Sequence, residues 1–173
     1  VTISTTTLDN GTNVHIHYTT NKLNDITYGN STFLAVGNSG NILTSSDGTS
    51  WDNRTSGTSN TLNGVTYGNS TFVTVGTSGN ILTSSDGTSW DNVTISTTTL
   101  DNSRTVHIHY MTNNLHDIIN GNSTFFAVGN SGNILTSSDG TSCDNMNSVT
   151  SNTLNEVTYV HSQFITSCTS CTT

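Results

Sequence analysis

Proline is absent from this 173-residue chain, and cations nearly so: Lys22, Arg54 and Arg104 face eleven acidic residues, for a net charge of -8. A nucleic-acid surface needs clustered Lys or Arg to displace counterions, so three scattered cations exclude it. Anionic membrane surfaces are excluded on the same ground. Apolar runs are short, Phe33-Leu34-Ala35-Val36 being typical, so no membrane insertion is expected. No segment has helical periodicity. Charged residues make up 8% and hydrophobic residues 30% of the chain, which implies a thin core stabilised heavily by backbone hydrogen bonds.

Ser, Thr, Asn and Gly fill the gap. Asn-x-Ser/Thr sequons stand at Asn10, Asn30, Asn53, Asn69, Asn92 and Asn122. Chance supplies many sequons in such a composition. With the low Lys content and polar surface they nevertheless favour a secreted, N-glycosylated protein at the cell surface or outside the cell. The chain opens on Val1 without a signal peptide, as expected of a mature product whose leader has been removed. The cysteines are few and late: Cys143, Cys168 and Cys171. A disulfide framework would spread an even number along the chain. Cys168-x-x-Cys171 lacks the second pair of a zinc site, so one disulfide is expected, from Cys143 to either of the others.

Repetition is the strongest signal. LNDITYGNSTFLAVGNSGNI at 23–42 returns at 62–81 and 115–134, and a fourth copy begins at 154. The starts differ by 39, 53 and 39 positions. The longer step holds VTISTTTLDNSRTVHIHYMTNN at 93–114, nearly identical to the segment that opens the chain at 1–22. The unit is therefore a 92-residue pair of repeats. Its expected parts are an N-terminal hairpin 1–22, repeats at 23–61 and 62–92, an inserted hairpin 93–114, a repeat 115–153 and an incomplete repeat 154–173. Within repeat 1 strands are predicted at Asp25–Tyr28, Phe33–Val36 and Asn41–Ser45, with a last one beginning near Trp51. Turns fall at Gly29-Asn30-Ser31, Gly37-Asn38-Ser39-Gly40 and Asp47-Gly48. Alternation puts Ile26 with Tyr28, and Leu34 with Val36, on single faces. Four strands in about 40 residues fit an all-β array of propeller-like blades; a β-solenoid is the alternative.

One motif recurs at the same point of each repeat. Ser45-Ser-Asp47-Gly48-Thr-Ser-Trp51 and Ser84-Ser-Asp86-Gly87-Thr-Ser-Trp90 resemble the Asp-box of BNR-type propellers, as does Ser137-Ser-Asp139-Gly140-Thr-Ser-Cys143 with Cys in place of the aromatic. The resemblance covers the three full repeats but not the 22-residue segments. It implies a hairpin between the outer strands of a blade, capped by the aspartate and supported by the aromatic. Some BNR families are sialidases, whose chemistry needs an arginine triad. With two arginines and a single glutamate, Glu156, this chain cannot supply one, so sialidase activity is not carried over.

The remaining candidates for chemistry are His15-Ile16-His17 and His107-Ile108-His109. Residues two apart on a strand share a face, so two such pairs could build a four-His metal site. The competing reading packs Val14, Ile16 and Tyr18 and leaves the imidazoles in water. It is preferred, because no carboxylate or third ligand lies near in sequence, and no cofactor is expected. His116 and His161 read as surface residues. Asp47, Asp86 and Asp139, followed by Asp52, Asp91 and Asp144, repeat at every blade, which fits turn capping rather than an acid/base pair. No catalytic residue is assigned, and the expectation is a non-enzymatic protein.

The fourth repeat lacks its outer strands, and an open strand edge invites pairing. The hairpin 1–22 could close the ring within one molecule, or complete the last blade of the next molecule and give a fibre or surface layer. The second is favoured, making the expected partner another copy of the chain. A carbohydrate-binding adhesion propeller is the alternative, with glycans as partners.

Overall fold

The computed structural model describes the backbone of residues 2–7, 13–18, 21–93, 112–146 and 148–168. The chain is all-β. Two N-terminal strands, β1 (Thr2–Thr7) and β2 (Asn13–Tyr18), form an antiparallel hairpin that pairs Thr2 with Tyr18 and Thr7 with Asn13. Three four-stranded antiparallel blades follow. Blade 1 holds β3 (Leu23–Gly29), β4 (Thr32–Gly37), β5 (Ile42–Ser45) and β6 (Asp52–Arg54). Blade 2 holds β7 (Leu62–Gly68), β8 (Thr71–Gly76), β9 (Ile81–Ser84) and β10 (Asp91–Asn92). Blade 3 holds β11 (Leu115–Gly121), β12 (Thr124–Gly129), β13 (Ile134–Ser137) and β14 (Asp144–Met146). Blade 4 is described as two strands, β15 (Leu154–Val160) and β16 (Gln163–Cys168).

Every strand pairs with its sequence neighbour inside its own blade, and the first strands β3, β7, β11 and β15 lie side by side. That is the plan of a propeller sector. A β-solenoid would instead pair strands of successive repeats, which none of the described strands do. Of the predicted inserted hairpin 93–114, residues 94–111 lie outside the described residues.

The turns explain part of the composition. The hairpin joining the first two strands of each blade has left-handed backbone at both central residues. In blades 1 to 3 these are Asn30-Ser31 (φ 47° and 57°), Asn69-Ser70 (49° and 61°) and Asn122-Ser123 (47° and 57°), and in blade 4 His161-Ser162 (49° and 63°). Two positive φ angles in a row are the mark of a type I′ hairpin, whose twist matches that of the strands it joins. Asn and His tolerate this region better than most residues. The turn therefore begins after Gly29 rather than on it, and three of the six sequons coincide with a backbone requirement.

Each blade has two faces. In blade 1, Ile26 pairs with Ala35 and Ala35 with Leu43; these point toward the position of a preceding blade, and we term this the leading face. Leu34, Val36 and Ile42 point the other way and form the trailing face, which packs on Leu62, Val65, Phe72 and Leu82 of blade 2. The seam between blades 2 and 3 is built likewise from Val73, Val75 and Ile81 against Leu115, Ile118, Phe125, Ala127 and Leu135. Burying a side chain of this size contributes about 1.5–3 kcal/mol, so the seams rather than the single sheets hold the array together.

Candidate functional site

The recurring Ser-x-Asp-Gly turns link β5 to β6 and their counterparts. Asp47 Oδ1 accepts the backbone N–H groups of Thr49 at 2.8 Å and Ser50 at 2.7 Å. Ser45 Oγ accepts Gly48 N–H at 2.8 Å and donates to Asp47 Oδ1 at 3.0 Å. Trp51 Nε1 donates to the Gly48 carbonyl at 3.3 Å. Asp86 and Asp139 repeat the two backbone bonds, with Ser84 on Gly87 and Ser137 on Gly140. These N–H donors hold the carboxyls of Asp47, Asp86 and Asp139 well below the usual aspartate range. Each is already committed to its own turn. The following Asp52 is paired with Arg54 at 3.1 Å.

Between the first strands lies an open channel of about 470 Å³, lined by Asn24, Asp25, Asn63, His116, Asp117 and Glu156 among others. The sequence offered a signal for it in the Leu-Asn/His-Asp/Gly/Glu run that opens each repeat. Its polar groups are largely occupied in joining blades. Asp25 accepts Ile26 N–H and, across the seam, Val65 N–H, both at 2.8 Å. Asp117 does the same with Ile118 and Val157. Burial raises the Asp117 pKa; its backbone bonds pull the other way, while the charges of Asp25 and Glu156 add to the rise. Asn24 Nδ2 donates to the Leu62 carbonyl at 2.8 Å and Asn63 Nδ2 to that of Leu115 at 2.7 Å. His116, expected on the surface, is half-buried here, 2.6 Å from Asn130 Oδ1. No group of three or more metal-ligating side chains occurs among the described residues.

The metal candidates His15 and His17 lie on β2, whose backbone alone is described; His107 and His109 lie outside the described residues. So does the sequon at Asn10. Asn30, Asn53, Asn92 and Asn122 are exposed. Asn69 is exposed too, but its Nδ2 donates to the carbonyls of Ser123 (3.0 Å) and Ser138 (2.9 Å), so a glycan there would displace an inter-blade bridge. The expected disulfide from Cys143 needs correction. Cys143 is a free thiol, whereas Cys168 is disulfide-bonded to a partner that lies outside the described residues. Cys143 stands where blades 1 and 2 carry Trp51 and Trp90. It faces a small apolar cavity of about 10 Å³ between blades 2 and 3, where burial pushes its pKa up to about 11.

The leading face of blade 1 differs sharply from its internal equivalents. Leu23 is 42% exposed and Ile26 55%, against 0% for Leu62 and 4% for Val65 at the same places in blade 2. Tyr28 is 59% exposed. With Ala35, Leu43 and Trp51 the first two line an open, mostly apolar groove of about 360 Å³, which Asn24 and Asp25 border.

No family model and no curated protein matches the chain. Solved structures do. A structure described as YCF48 bound to D1 peptide superposes with a TM-score of 0.63 at 17% identity, over 95% of this chain and 49% of that one. YCF48 from Cyanidioschyzon merolae gives 0.56 at 19% identity, over 75% and 38%. YCF48 is a β-propeller, and the chain shares that fold. It spans about half, or less, of the length of these structures. No helix among the described residues is long and apolar enough to cross a membrane.

Proposed function

We propose that this chain is a non-enzymatic propeller module that acts by binding another polypeptide through the leading face of blade 1. The observation that carries this reading is the contrast between Leu23 and Ile26, exposed, and Leu62 and Val65, buried in the same positions one blade later. Each side chain is already about half buried, so covering the remainder would contribute about 1 kcal/mol apiece, and a partner that also covers Tyr28 gains more from docking there. A peptide partner is named in the description of the YCF48 structure, a precedent for protein binding on a shared fold. The Asp-box resemblance fits the same view, since the turn aspartates act within the blade. An extracellular setting with N-glycans fits the exposed sequons at Asn30, Asn53, Asn92 and Asn122. The experiment is to recover the tagged chain and its Ile26→Glu variant from the cells that make it and measure the native mass of each. A complex for the wild type and a monomer for the variant are expected. Two monomers would overturn the reading.

Carbohydrate binding is the second reading. Trp51 lies in the groove beside Asn24 and Asp25, and an aromatic platform flanked by an amide and a carboxylate suits a sugar ring. A glycan array read with wild type and Trp51→Ala tests it; equal signals from both would reject it.

A further inference from the structure

The internal seams show what a leading face is built to receive. At the end of each first strand in blades 1 to 3 stands a glycine: Gly29, Gly68 and Gly121. A side chain from the following blade lies against each. A Cβ on Gly29 would fall inside the ring of Tyr67, one on Gly121 inside the ring of Tyr159, and one on Gly68 on the side-chain amide of Asn120. The glycine is thus a seat. The ring that uses it is held in a fixed pose by a neighbouring phenylalanine. Tyr67 and Phe72 lie 4.6 Å apart at 51°, and Tyr159 and Phe164 lie 4.8 Å apart at 49°.

Tyr28 has the same pose, 4.7 Å from Phe33 at 49°, and is 59% exposed, with no blade before it among the described residues. The leading face of blade 1 is therefore pre-shaped for a seat that the described chain does not provide. The trailing face of blade 4 has lost its own. Val160 stands where the glycines stand, and Ser167 where Val36, Val75 and Val128 stand. Of the apolar pair on that face only Ile165 remains, 52% exposed.

Taking the leading face of blade 1 as a binding surface, as above, we infer that its occupant is a β-sheet blade of a different polypeptide segment, one that carries glycine at the seat and an apolar trailing face. Val160 prevents blade 4 of a second copy from filling that role. It acts as a stop on head-to-tail addition of copies through these two faces. The two described faces are then unequal. One accepts a blade, and the other has the seat filled by a branched side chain whose Cβ occupies the volume of the incoming ring.

The test uses the full chain. In the variant Val160→Gly with Ser167→Val, blade 4 regains the seat and the apolar pair. Light scattering over a range of concentrations is expected to show this variant associating at least about tenfold more tightly than wild type. Adding Ile26→Glu should return it to the wild-type mass. Wild type that assembles as readily as the double variant would overturn the proposal, as would a double variant that stays monomeric. Gly121→Val probes the seat inside one molecule. Hydrogen exchange across Leu154–Cys168 should rise at least tenfold, with blades 1 and 2 unchanged; unchanged protection of blade 4 would also overturn it. None of these readouts depends on the natural partner, so a failure here is distinct from a failure of the recovered-mass experiment.

Discussion

Leu23 and Leu62 occupy the same place in two copies of one repeat, yet one is nearly half exposed and the other is not exposed at all. The local sequence around them is almost the same, Leu-Asn-Asp-Ile against Leu-Asn-Gly-Val. Among the described residues blade 2 has a blade before it and blade 1 does not, and the exposure follows that neighbour. Ala35 and Leu43 of that face are buried already, but Leu23 and Ile26 become core when another sheet covers them, so sequence alone cannot separate a core leucine from a docking leucine.

The largest expected effect breaks that comparison directly. Leu62→Ala should cost about 2–5 kcal/mol of stability, because it leaves a cavity in a closed seam. Leu23→Ala should cost about 0.5 kcal/mol or less, as substitutions at uncovered positions do. Urea unfolding of both variants measures the gap. Equal losses would mean that the blade 1 face is covered in solution.

A smaller effect is expected at Asn120, which stands where blades 1, 2 and 4 carry tyrosine. Its Nδ2 is buried without a hydrogen-bond partner. Asn120→Tyr removes that unpaired donor and places a ring over Gly68, as Tyr67 lies over Gly29. It should stabilise by about 1–2 kcal/mol in thermal unfolding. A loss of stability would show that the seam between blades 2 and 3 is too close for the ring.

Acid sharpens the contrast between turn and seam. The carboxyls of Asp47, Asp86 and Asp139 titrate below their ordinary value of 3.8 in the folded chain. A depressed folded pKa contributes stability that is present in full above the unfolded value and is lost as pH falls toward the folded one. Stability should therefore decline below about pH 4, and replacing the three aspartates by asparagine should flatten that limb of the profile. An unchanged acid limb in the triple variant would place the titrating groups elsewhere. Asp117 runs in the opposite sense. Its raised folded pKa favours the fold at low pH, and that contribution is lost as pH rises through the folded value.

The smallest effect on folding is expected at Cys143. With its pKa moved from 9.0 to about 11, the thiolate fraction at pH 8 falls about a hundredfold. Alkylation of the native protein, followed by mass, should be slower by at least that factor than in urea. Rapid labelling without denaturant would show that the seam between blades 2 and 3 opens readily.

Much of the fold was legible in the residues. The spacing of Gly, Asn and Asp marked the turns, and the predicted strand over Phe33–Val36 lies within the observed Thr32–Gly37. The first strand runs two residues earlier than predicted, Leu23–Gly29, because a bulge between Leu23 and Asp25 keeps Leu23 in the ladder. The candidate site was less legible. Tyr28 read only as a residue sharing a face with Ile26, and Gly29 read as a turn residue. Their role is set by contact across a seam, between residues about 40 positions apart. The meaning of Val160 rests on the same kind of contact, with the ring that would strike it.

Asp25, Gly64, Asp117 and Glu156 occupy one register position in the four blades. Asp25 and Asp117 each reach a backbone N–H of the next blade, whereas at Gly64 a Cβ would come within 3.2 Å of the blade 3 backbone. The described seams thus come in two kinds that alternate, one bridged by a carboxylate and one with a bare glycine lying close to the next blade's backbone at that position. The array has a parity. Anyone lengthening it by recombination should add whole 92-residue doublets, since a single extra blade would set two seams of the same kind side by side.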